Sequence, residues 1–217
     1  MLQANFKTRL RDRAANLLTH FKNGALYFEN ALANFEYQAG PDVGALFGRF
    51  KNVPLVMVSA GYSPDGFYDE IRAQQVQMNA GFADMMKETP MYKSYVAVAP
   101  KPEDFPELLD RMGALMRTPY DWRDDVKTLK MPVMLVYGDS DMIRPEHIVE
   151  VYRLLGGGLK DAGWMRENMS QNRLAILPDL THYEAFASPV MAHTVLPFLN
   201  GVSNAPDWAK QVEGQGK

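Results

Sequence analysis

Residues 132–145, Pro-Val-Met-Leu-Val-Tyr-Gly-Asp-Ser-Asp-Met-Ile-Arg-Pro, decide the fold of this 217-residue chain. The run 132–137 is continuously apolar and bounded by Pro and Gly, which predicts a strand buried on both faces. Gly138-Asp-Ser-Asp141 predicts a loop. Residues 145–155 then place Ile148, Val149, Tyr152 and Leu155 on one side of a helix, and Gly156-Gly-Gly158 stops it.

Downstream, residues 174–177 (Leu-Ala-Ile-Leu) predict another strand, 178–183 a loop and 189–199 a helix, with a polar tail after Gly201. Upstream, residues 54–59 (Pro-Leu-Val-Met-Val-Ser) predict a further buried strand, and 61–66 a loop. Between 67 and 129 the apolar spacing is helical throughout. Ile71, Val76, Met78, Phe82, Met85 and Met86 fit one helix. Phe105, Leu108, Leu109, Met112, Leu115 and Met116 fit another, and Asp121 can cap a third. Strands alternating with helices at these spacings predict an α/β fold, a parallel sheet flanked by helices. Ligands of such sheets sit at the carboxyl ends of the strands. Phe6, Leu10, Ala14, Leu17, Leu18 and Phe21 form an apolar helical face, with a shorter one at Phe28, Leu32 and Phe35, so the N-terminus is expected to be mostly helical. The length suits one domain over 1–217. Within it, 1–52 form a helical N-terminal segment, 53–66 a strand and loop, 67–130 a helical stretch, 131–200 the C-terminal core and 201–217 a frayed tail.

Composition excludes several classes. Lys+Arg is 23 against Asp+Glu 26, a net charge of -3, which argues against a nucleic-acid binder. Cysteine is absent, so thiolate metal sites and a cysteine nucleophile are ruled out. No apolar run approaches the roughly 18 residues of a membrane span. Arg9, Arg11, Asp12 and Arg13 interrupt any secretory leader, so a cytoplasmic protein is expected. Methionine stands out at 14 residues, and its flexible thioether suits irregular apolar pockets.

Two loops carry the chemistry: 137–145, and 177–183 (Leu-Pro-Asp-Leu-Thr-His-Tyr). If their strands are parallel neighbours, Asp141 and His182 open onto one rim. The carboxylate can then accept the Nδ1 proton of His182, orient the ring and stabilise its cation. The same residues also suit plain turns, with Asp139 and Asp141 as Asx acceptors and His182 as a satisfied loop histidine. His20, His147 and His193 read as packing or surface residues. No histidine cluster has metal-ligand spacing, and no cofactor motif is present.

The segments PVMLVYGDSDMIRP, PEHIVEVYRLL and RLAILPDLTHYEAF together resemble the C-terminal portion of the α/β-hydrolase superfamily. The resemblance implies that Asp141 is the triad acid and His182 the base, in the family's chain order. It also implies that 54–59 is the sixth strand and 67–130 a cap. The expected activity is that of a hydrolase acting on a small, fairly apolar ester-like substrate. Phe67, Tyr68, Met78, Phe82, Met85, Met86, Met91, Tyr92 and Tyr95 would form the cap's apolar lining or, equally, a plain helical core.

The family's G-x-S-x-G nucleophile elbow has no match, so activity is expected to be impaired. Ser63, in Gly61-Tyr-Ser-Pro-Asp65, is a weak candidate, because Pro64 lacks the N–H that should bind the oxyanion. Asp42, in Gly40-Pro-Asp-Val-Gly44, reads better as a helix N-cap. The alternative is a non-catalytic hydrolase remnant that binds an apolar ligand or a partner chain. Strand 54–59 would lack its usual neighbour, which predicts an exposed sheet edge and a homodimer.

Overall fold

The computed structural model describes residues 54–205. The helical expectation for 1–52, together with Asp42 and His20, lies outside them. Three parallel strands form one sheet in the order β1-β2-β3: β1 (Leu55–Val58), β2 (Val133–Ser140) and β3 (Arg173–Thr181). Between β1 and β2 run α1 (Asp69–Gln75), α2 (Ala83–Met86), α3 (Pro90–Val98), α4 (Phe105–Arg117) and α5 (Arg123–Thr128). Helix α6 (Pro145–Leu154) connects β2 to β3, and α7 (His182–Ala185) and α8 (Pro189–Leu199) follow. This is the parallel, helix-flanked sheet that the sequence predicts.

β2 is central, and its alternation explains the layers. Val133, Leu135 and Tyr137 face one side, packed with Ile143, Ile148, Val151, Val126 and Tyr62. Met134 and Val136 face the other, against Leu177, Met191 and Val195. A continuous apolar run is therefore what a strand covered on both faces requires. Each such side chain contributes about 1.5–3 kcal/mol by leaving water. Tyr137 is fully buried, and its hydroxyl donates to Ala60 O at 2.6 Å, tying β2 to the loop after β1. Among the described residues β1 pairs only with β2, so its other edge carries no strand.

Strand ends differ from the sequence expectation in three places. β2 continues to Ser140, through residues expected to form a loop. β1 ends at Val58, and Ser59 turns out of it with φ 49°. β3 runs to Thr181, well past Leu177, because an irregularity lets the ladder resume: Gly138 pairs with Leu177, then Ser140 with Thr181. One residue of β2, Asp139, thus faces three of β3, Pro178, Asp179 and Leu180. Pro178, which cannot donate to a ladder, sits in that irregular stretch, with Asp179 next to it at φ 61°.

The helices between β1 and β2 use their aromatic residues internally. Tyr92 and Tyr95 close on Phe105, with ring centroids 4.9 and 5.3 Å away. Phe105 is fully buried, so these three residues form a helical core; Met85, by contrast, is exposed.

Candidate active site

Asp141 and His182 leave the carboxyl ends of β2 and β3. The irregularity in β3 brings them together. Leu180 crosses so close to Gly138 that a Cβ there would lie 2.0 Å from Leu180 O. Glycine at 138 is therefore a steric condition for the path of the His182 loop. Immediately after it, Thr181 starts α7 with reciprocal capping. Its hydroxyl accepts from Tyr183 N–H at 3.2 Å, and the Glu184 carboxylate accepts from Thr181 N–H at 3.0 Å and from the Thr181 hydroxyl. His182, the first residue of that turn, is held at a fixed angle.

His182 Nδ1 lies 3.2 Å from Asp141 Oδ1. The Asp141 side chain is 1% exposed and that of His182 16%. Asp141 Oδ1 also accepts from Ile143 N–H at 3.2 Å, and Oδ2 accepts from the Ser59 hydroxyl at 2.5 Å. Burial pushes the carboxyl's pKa up. The hydrogen bonds from His182 and Ser59, then the attraction of His182 and the Ile143 N–H, outweigh it and hold the group below the usual carboxylate range. An ionised carboxylate only accepts, so Nδ1 carries the imidazole proton and Nε2 presents its lone pair. The rings of Tyr183 and Phe186 stand edge-on to His182, each 5.8 Å from it. Among the described residues no side chain hydrogen-bonds Nε2. That arrangement can take a proton at Nε2 and stabilise the resulting charge through Asp141.

Ser63 is buried in extended backbone (φ -150°) ahead of the short turn Pro64–Gly66. It lacks the left-handed bend of a strand-to-helix elbow, and its neighbour Tyr62 turns towards His147 instead. His147 is 4% exposed, stacks on Tyr62 at 4.3 Å and accepts from Tyr62 N–H at 3.3 Å through Nε2. Burial, the largest influence, lowers its pKa; Arg144 and Arg123 lower it further, while Glu150 and Asp65 oppose them. It is a neutral packing residue, and His193 is at the surface. No group of three or more His, Cys, Asp or Glu side chains among the described residues is arranged to hold a metal ion.

Sequence reasoning missed Ser59. The apolar pattern makes it the last residue of a strand, whereas it bends out of β1 and reaches Asp141 across the sheet. An open depression of about 430 Å³ on α6, lined by Val149, Arg153, Leu154 and Leu159 among others, includes neither Asp141 nor His182.

The architecture is that of an α/β protein with an acid and a histidine at adjacent strand ends. Parts of the chain are similar to parts of several solved structures. One is a thermophilic esterase from Thermogutta terrifontis: 16% identity, 68% of this chain and 56% of that one, TM-score 0.39. Another is MGS-M2, an alpha/beta hydrolase enzyme from a Medee basin deep-sea metagenome library: 16% identity, 71% and 58% covered, TM-score 0.40. A third is the enol-lactonase from Burkholderia xenovorans LB400: 16% identity, 72% and 60% covered, TM-score 0.42. The matched part thus spans between 56% and 60% of those three chains. No protein-family model and no curated protein matches the sequence. No helix among the described residues is long and apolar enough to cross a membrane.

Proposed function

We propose that the protein is a hydrolase of the α/β-hydrolase type, acting on a small, fairly apolar ester-like substrate. His182 is the general base and Asp141 its orienting anion. The observation that carries this reading is the 3.2 Å contact from His182 Nδ1 to Asp141 Oδ1, with the carboxylate buried and ionised. In the forward step an attacking oxygen gives its proton to Nε2. Imidazolium forms beside a carboxylate that cannot leave, and the same proton passes to the departing alkoxide. The helices between β1 and β2 act as the cap over the substrate, where Tyr68 and Met85 remain exposed while Tyr92 and Tyr95 pack on Phe105.

A second reading, a non-catalytic hydrolase remnant that binds an apolar ligand, is favoured by one observation. Nε2 has no hydrogen-bonded hydroxyl or carboxylate among the described residues.

Hydrolysis of a short p-nitrophenyl ester separates the two. The hydrolase reading predicts a rate that falls by about 10²–10⁴-fold in His182→Ala. Equal, background-level rates for both proteins support the remnant instead. A fluorophosphonate probe followed by mass spectrometry names any reactive serine.

A further inference from the structure

We propose that Ser59 is a positioning residue for the Asp141–His182 pair: its hydroxyl holds Oδ2 of the carboxylate so that Oδ1 is turned to His182 Nδ1. As a deepening of the hydrolase reading, this role rests on it; the hydrogen-bond geometry does not.

Ser59 follows β1 directly, and its N–H still donates to Val136 O at 2.9 Å, so the backbone is anchored to the central strand at that point. Its φ of 49° lies in the left-handed region, which disfavours any residue with a Cβ. Glycine would relieve that conformation, but it would bring no hydroxyl. The hydroxyl here donates to Asp141 at 2.5 Å from a residue that is 6% exposed. Water has little access to replace it.

The two oxygens of Asp141 divide the work. Oδ1 faces His182 and the Ile143 N–H, and Oδ2 faces Ser59. Rotation about Cβ–Cγ would break both sets together, so the hydroxyl fixes the carboxylate plane as well as its charge. This placement also separates Ser59 from the nucleophile's role. A nucleophile must meet the base, whereas Ser59 bonds the oxygen that His182 does not use.

The groups facing Asp141 come from four elements: His182 on α7, Ser59 after β1, the Ile143 N–H on its own loop, and Tyr137 on β2. The Tyr137 hydroxyl is occupied by Ala60 O. Ser59 is the one whose hydroxyl can be removed with His182 and the Ile143 N–H left in place.

The test is a carboxyl ¹³C NMR titration of Asp141 in the full chain, comparing wild type with Ser59→Ala and Ser59→Gly. Loss of a donor to the ionised form raises the midpoint. The expected rise is about one pH unit, roughly tenfold in proton affinity, in both variants. Ser59→Gly suits the backbone at this position, so it keeps the test valid if Ser59→Ala folds poorly. A purely backbone role would leave the midpoint unmoved in Ser59→Gly, and that result overturns the proposal. With the ester substrate, the glycine variant lowers kcat and leaves KM unchanged. If the midpoint rises but no protein shows His182-dependent hydrolysis, the hydrolase reading falls and the hold on Asp141 stands. If hydrolysis depends on His182 and the midpoint stays, the role of Ser59 falls alone.

Discussion

His147 shows what a single buried imidazole does to the behaviour of the protein. It is enclosed under the loop after β1, where a Cβ at Gly66 would come 2.5 Å from its ring, and it accepts a backbone hydrogen bond only while neutral. Its folded pKa is depressed below 6.5, mainly by burial. The unfolded chain therefore binds the proton first as pH falls. The stability contribution is complete above the unfolded value and is lost as pH drops below it towards the folded pKa. Urea unfolding should show stability declining from pH 7 to pH 5 in wild type. His147→Phe, which cannot charge, should be less stable at pH 7 because Tyr62 N–H loses its acceptor, and should show a flatter decline. An equal slope in both proteins would remove His147 as the cause. Asp141 follows the same sign at lower pH: its depressed pKa adds stability above the unfolded carboxylate range, lost as pH falls through the folded value. In sequence His147 offered no sign of this. A histidine at that position reads as surface or packing, and only the fold shows its ring lying against Gly61 and Gly66.

At the scale of elements, the β2–α6–β3 unit was legible because each part obeys one rule. A run covered on both faces is apolar at every position, an amphipathic helix is apolar every three or four residues, and Gly156 ends α6 with φ 83°. The ends of the strands were not legible. The bend at Ser59 and the irregularity opposite Gly138 depend on which backbone passes nearby, and local pattern carries no record of that. Gly138 tests the consequence. Ala at this position must displace Leu180, whose carbonyl it would meet, and with it the loop that ends in His182. The expected cost is about 1–3 kcal/mol in denaturant unfolding, with ester hydrolysis reduced more than stability alone explains. Unchanged stability and unchanged rate in Gly138→Ala would mean that β3 can shift without moving His182.

At the largest scale, the three parallel strands of the described residues, with helices on both faces, put two loops at one rim, and the chemistry follows from that adjacency. The loops are 41 residues apart in sequence, yet their side chains meet. The pairing could be expected from sequence only through the parallel order of two apolar runs. The Ser59 contact, 82 residues from Asp141, could not. A base and its orienting acid act as one unit, so their losses do not add. The decisive measurement is a double-mutant cycle in ester hydrolysis with His182→Ala, Asp141→Asn and the two combined. Each single variant is expected to lose most of the activity, and the double variant to be no slower than His182→Ala. Losses that multiply, or an Asp141→Asn variant as fast as wild type, would contradict this joint role.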